Sequence, residues 1–91
     1  MKLDAKFDGT IHKVKDGSIV PDDEYVVFLA KDNAFALALP VYRAICAAMG
    51  ADDEHLNAVD RMIARLHLWR GQNRSKCKTP DAKGERLLDL E

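Results

Sequence analysis

Apolar residues crowd the stretch 33–49, NAFALALPVYRAICAAM, until almost no side of it is left polar. Wound as a helix, it places Phe35, Leu39, Tyr42, Ile45, Cys46 and Met49 on one face at the i, i+3, i+4 spacing. Leu37, Val41, Ala44 and Ala48 fall on the other, and Arg43 is the only charge. A chain of 91 residues has little other material with which to cover two apolar faces. The pattern therefore predicts a helix held between a sheet and a second helix, or between two copies of the protein, and the expectation is a homo-oligomer.

The elements around this helix follow from changes of period. The segment 6–14, KFDGTIHKV, carries β-branched Thr10, Ile11 and Val14 and reads as a strand. Asp16-Gly17 supplies a tight turn, because Gly accepts positive φ, and 18–20 pairs back until Pro21 stops it. After the acidic turn Asp22-Asp23-Glu24, the run YVVFL at 25–29 is the strongest strand pattern. Its continuous apolar character predicts a central strand buried on both faces.

At Lys31-Asp32-Asn33 the period changes from two to 3.6, and Asp32 is the expected N-cap of the first helix. Pro40, inside that helix, removes one hydrogen bond and predicts a kink over 36–40. Gly50 ends the helix as a C′ glycine, and Asp52 caps a second one. That helix, Asp53–Gln72, has a core stripe of Leu56, Val59, Ile63 and Leu66, flanked by Met62 and Trp69. Beyond it the chain is irregular, ending either in a short helical turn over 85–90 that docks Leu87 and Leu88 or in a tail with none.

The fold class is α+β: a small antiparallel sheet, made of an N-terminal hairpin plus a strand, then an antiparallel helix pair and an irregular C-terminal tail. Residues 1–72 form a single domain and 73–91 a basic tail.

Composition narrows the function classes. With 47% hydrophobic and 32% charged residues this is one folded domain, and a net charge of −1 gives no strong nucleic-acid or membrane signal. No run reaches the roughly 18 apolar residues of a membrane span. Cys46 and Cys77 sit in unlike settings and suggest no disulfide framework. With no signal-peptide pattern, the expected compartment is the cytoplasm.

The sequence shows no nucleophile elbow, phosphate loop or dinucleotide fingerprint, and His12, His55 and His67 have no metal-ligand spacing with the cysteines. No metal, cofactor or catalytic residue is expected, and the chain reads as a non-enzyme. The cluster Asp52-Asp53-Glu54-His55 could hold a cation or supply a general base, but helix electrostatics alone favours acids at a helix start.

Two candidate sites remain. Lys31 and Asn33, at a helix start after a strand, suit a phosphate or carboxylate, or serve ordinary capping alone. Arg61, Arg65, Trp69 and Arg70 open a row of cations without an acid that continues through Arg74, Lys76 and Lys78. Arg61 and Arg65 lie one turn apart and can share an anion, while Trp69 offers a stacking face. The bland counterpart is a solvated helix face with Trp69 plugging the core and Asp60 neutralising part of the row.

The run 26–70 resembles small accessory proteins of bacteriophages and prophages. In these, an F-x-A-K-D-N-A-like segment leads into a helix with spaced Tyr and Cys, a Gly-Ala-Asp turn, and a second helix ending near Trp. The matching positions are Phe28, Ala30 to Ala34, Tyr42, Cys46, Gly50 to Asp52 and Trp69. The resemblance covers core and caps and carries no catalytic motif. It implies a viral accessory protein acting in the host cytoplasm. By analogy, that points to a counter-defence role: sequestering a nucleotide-like signal, with Arg61, Arg65, Trp69, Arg70, Lys31 and Asn33 as ligand-binding residues. The alternative is a protein–protein interaction module that inhibits or bridges a host defence protein through the acidic turn at 22–24 or a strand edge.

Overall fold

The computed structural model describes residues 1–79 and is α+β. Two strands, β1 (Ile11–His12) and β2 (Ile19–Val20), pair antiparallel with Ile11 opposite Val20 and His12 opposite Ile19. Two helices follow, α1 (Asn33–Ala48) and α2 (Asp53–Gln72), and then a 3₁₀ turn at Arg74–Lys76. The expected helical turn at 85–90 lies outside the described residues.

The hairpin turn is built as its residues demand. Gly17 takes φ +75° and donates its N–H to the Lys13 carbonyl at 2.8 Å, while the Asp16 carboxylate accepts from the Ser18 N–H and hydroxyl. The strands are much shorter than the alternation at 6–14 suggested.

Among the described residues the run 25–29 belongs to no ladder, which corrects the central-strand expectation. Tyr25, Val27 and Leu29 are half-buried, whereas Val26 and Phe28 are exposed, so only one face of the segment is covered. In place of a backbone ladder, the Val27 N–H donates to the Asp4 carboxylate at 2.8 Å. The same carboxylate accepts from the N–H groups of Lys6 and Phe7. One aspartate thus ties the N-terminal segment to the run 25–29, and the Tyr25 hydroxyl, donating to the Gly9 carbonyl at 2.9 Å, adds a second tie.

The helices form an antiparallel hairpin. Cross-contacts run in opposite chain directions, from Asn33 with Arg70 at one end to Arg43 with Asp60 and Tyr42 with His55 farther along. Asp32 caps α1, accepting from the N–H groups of Ala34 and Phe35, and Asp52 caps α2 through the His55 N–H. At the end of α1, Gly50 takes φ +85° and donates to the Ala47 carbonyl while Ala51 donates to that of Cys46, the paired bonds of a Schellman motif. The helix runs unbroken through Pro40.

Among the described residues, Ala36 and Leu39 on α1 and Val59 and Leu66 on α2 are the buried hydrophobic ones. Ala30, Phe35 and Ile63 pack against Ala36, Leu39 and Leu66. The covered side of α1 is rotated from the expected one: it takes in Ala36, while Tyr42, Ile45 and Met49 stay half or more exposed. A single neighbouring helix covers only a narrow sector of α1, and Leu37, Val41, Ala44 and Ala48 face solvent. No helix among the described residues is long and apolar enough to cross a membrane.

Candidate functional site

Where residues 3–7 pass the run 26–29 and the start of α1, they enclose an open cavity of about 540 Å³. Small-ligand pockets fall in the range of roughly 300–1,000 Å³ and are mostly apolar with a few placed polar groups. Leu3, Phe7, Val26, Phe28 and Leu29 supply the apolar walls, and Lys6, Lys31 and Lys78 are the cations.

The Phe28 ring stacks on Phe35 with centroids 5.1 Å apart and planes 3° apart. Phe28 is 59% exposed, so Phe35 backs the ring without closing it off, and aromatic surface remains at the cavity.

The two aspartates of the lining, Asp4 and Asp32, hold backbone N–H groups. Bonds from the N–H groups of Val27, Phe7 and Lys6 keep the Asp4 carboxyl below the usual carboxylate range, so it stands as a charged structural staple. Asp32 is committed to capping α1. Among the described residues no histidine, serine or cysteine lines the cavity, so its titratable side chains are the lysines and the two aspartates.

Lys78 reaches this place through the turn that follows α2. Asn73 ends α2, its side chain donating to the Trp69 carbonyl at 2.8 Å, and the Cys77 thiol leans on the Asn73 carbonyl at 3.5 Å. The chain then runs parallel to the start of α1: the Lys78 N–H donates to the Lys31 carbonyl at 2.9 Å, and the Asn33 N–H donates to the Lys78 carbonyl at 3.0 Å. Two lysines far apart in sequence thereby share one wall.

The residues singled out by sequence separate into three groups. Lys31 lines the cavity. Asn33 and Arg70 are bonded to each other: the guanidinium donates to Asn33 Oδ1 at 2.6 Å and to the Ala30 carbonyl at 3.0 Å, and the Asn33 amide donates to Thr79. They brace the wall from behind.

Arg61 and Arg65 project from the exposed face of α2, Trp69 is half-buried near its end, and no α2 residue lines the cavity. Asp60 does not neutralise their row. It accepts from Arg43 at 3.0 and 3.2 Å, and this pairing raises the Arg43 pKa.

Sequence reasoning places Phe28 in a strand buried on both faces and Lys78 at the end of the basic row, and so misses that the two meet at this cavity. The available signal was the aromatic three residues before Lys31, an apolar surface beside a cation at a helix start.

Away from the cavity, Tyr42 meets His55 edge to face at 6.5 Å, and the neighbouring Cys46 thiol pushes the phenol pKa up. Among the described residues no three His, Cys, Asp or Glu side chains gather closely enough to hold a metal ion.

No family model matches the chain, and neither the curated proteins nor the solved structures compared with it include a match.

Proposed function

We propose that this protein is a non-catalytic binding protein that takes a small anionic ligand with a flat apolar body, of the nucleotide kind, into the cavity beside Phe28. The observation that carries the reading is the pairing of an open aromatic surface with Lys31 and Lys78 on the wall of one cavity of ligand size. A base stacks on an aromatic face at little cost in specificity, and an ammonium group supplies the point charge a phosphate needs. The two acids among the described lining residues, Asp4 and Asp32, accept backbone N–H groups. In biological terms the reading is that of a phage-type accessory protein in the host cytoplasm, sequestering a nucleotide-like signal of host defence.

Calorimetry with mono-, di- and cyclic nucleotides tests it. The account expects heat with at least one of them, and an affinity about tenfold weaker after Lys31→Ala or Lys78→Ala, the scale of one charge-assisted bond. Folded protein that gives no heat with any of the panel contradicts it. The other reading, inhibition or bridging of a host protein, draws on the exposed acids Asp22, Asp23 and Glu24 and leaves both lysines dispensable.

A further inference from the structure

The outward side of α1 is the largest feature the cavity does not explain. Leu37, Val41, Ile45 and Met49 stand four residues apart in one row and are 77%, 58%, 51% and 82% exposed. Ala38 and Ala48, also exposed, lie between and beside them. The helix has a single charged residue, Arg43, and it is turned toward α2, where it is bonded to Asp60. The exposed sector is therefore apolar and without charge over its whole length.

We propose that this sector pairs with the same sector of a second copy across a two-fold axis. The four large side chains of the row are each more than half exposed and form one continuous apolar patch with the alanines among them, of the kind that marks a contact with another protein surface. Its electrostatics fit that occupant. A two-fold contact sets a patch against itself, so any charge on it would meet its like; a patch with none meets no repulsion. Recognition of a different protein is ordinarily marked by complementary charges, and this face carries none to complement. The alanines between the large side chains let the two backbones approach closely. The pairing stands whether or not the cavity holds a nucleotide.

Light scattering on the full chain, from micromolar concentration upward, tests the proposal with Val41→Glu as the disrupting variant and Arg61→Glu, on the opposite side of the helix pair, as control. The expected results are a wild-type mass at least twice the 10.2 kDa of one chain, the same mass for Arg61→Glu, and a mass at least halved for Val41→Glu with its helical circular dichroism intact. Should the glutamate unfold the protein, the double variant Leu37→Gln, Met49→Gln gives the same reading at two strongly exposed positions. A wild-type mass of one chain overturns the proposal. So does a folded α1 variant that keeps the wild-type mass, since the contact then lies elsewhere.

Discussion

Arg70, in the last turn of α2, reaches across to Asn33 at the first turn of α1 and donates to its side-chain oxygen at 2.6 Å, while a second guanidinium nitrogen meets the Ala30 carbonyl at 3.0 Å. This bridge closes the open end of the helix hairpin, opposite the short link at 49–52. It also fixes the backbone from which Lys31 enters the cavity. Arg70 therefore acts on the site through position, bonding Ala30 and Asn33 without itself lining the cavity.

Replacing Arg70 by Met keeps the length of the side chain and removes both bonds. Bonds from a charged donor contribute about 1.5–3 kcal/mol, and the half-buried setting favours the lower end. A loss of about 1.5 kcal/mol lowers Tm by on the order of 6–12 °C in a domain of this size, measurable by thermal circular dichroism. Below the new Tm the variant keeps measurable nucleotide affinity, because no donor of Arg70 is reserved for the ligand. Abolished binding in a folded Arg70→Met protein assigns the guanidinium to the ligand instead.

Asp4 makes stability depend on acid. Its folded pKa lies below the usual 3.8 because N–H groups of Val27, Phe7 and Lys6 bond the charged form. A depressed folded pKa contributes stability that is fully present above the unfolded value and is lost as pH falls from there through the folded one. Asp8, held low by Lys2 and Gly9, and Asp16, held low by Ser18, add in the same direction. Tm should thus be nearly flat from pH 7 to about 5 and fall steeply below 4. Asp4→Asn should lower Tm at neutral pH and make the acid slope shallower. An unchanged slope removes Asp4 from the account.

Asp32 lines the cavity while capping α1, and the two roles separate on substitution. Asn caps a helix about as well as Asp, so Asp32→Asn should change stability by less than about 0.5 kcal/mol. Removing the charge should tighten capture of an anion about threefold, which corresponds to the repulsion of two unit charges about 7 Å apart through water. Asp32→Ala should cost about 1 kcal/mol of stability as the cap is lost. Denaturant melts paired with nucleotide titrations read both effects.

The helix boundaries were legible because they are set locally. Asp32, Asp52 and Gly50 satisfy or terminate a helix with groups that lie within a few residues, and each does so here as its chemistry suggests. The hairpin turn at Asp16-Gly17 is of the same kind.

What the sequence concealed are relationships set by distant groups. Five apolar residues at 25–29 suggest a buried strand, yet a strand needs an extended neighbour, and here Asp4 supplies one side-chain oxygen in its stead. The wall shared by Lys31 and Lys78 depends on a parallel bridge between chain segments on either side of both helices, for which no periodicity exists. Arg61 and Arg65 were conspicuous as charges without acids, whereas the cavity gathers its cations from three separate parts of the chain. The two apolar faces of α1 were legible, and the outward one is exposed.

The account places the ligand at Phe28 and Lys31 and away from the arginine row of α2. Amide chemical shifts of isotope-labelled protein, followed while a nucleotide that gives heat is added, test this placement most directly. Shifts concentrated at Phe28, Lys31, Ala34 and Lys78, with Arg61 and Arg65 unmoved, are the predicted result. Shifts centred on Arg61, Arg65 and Trp69, with the cavity residues unmoved, contradict it.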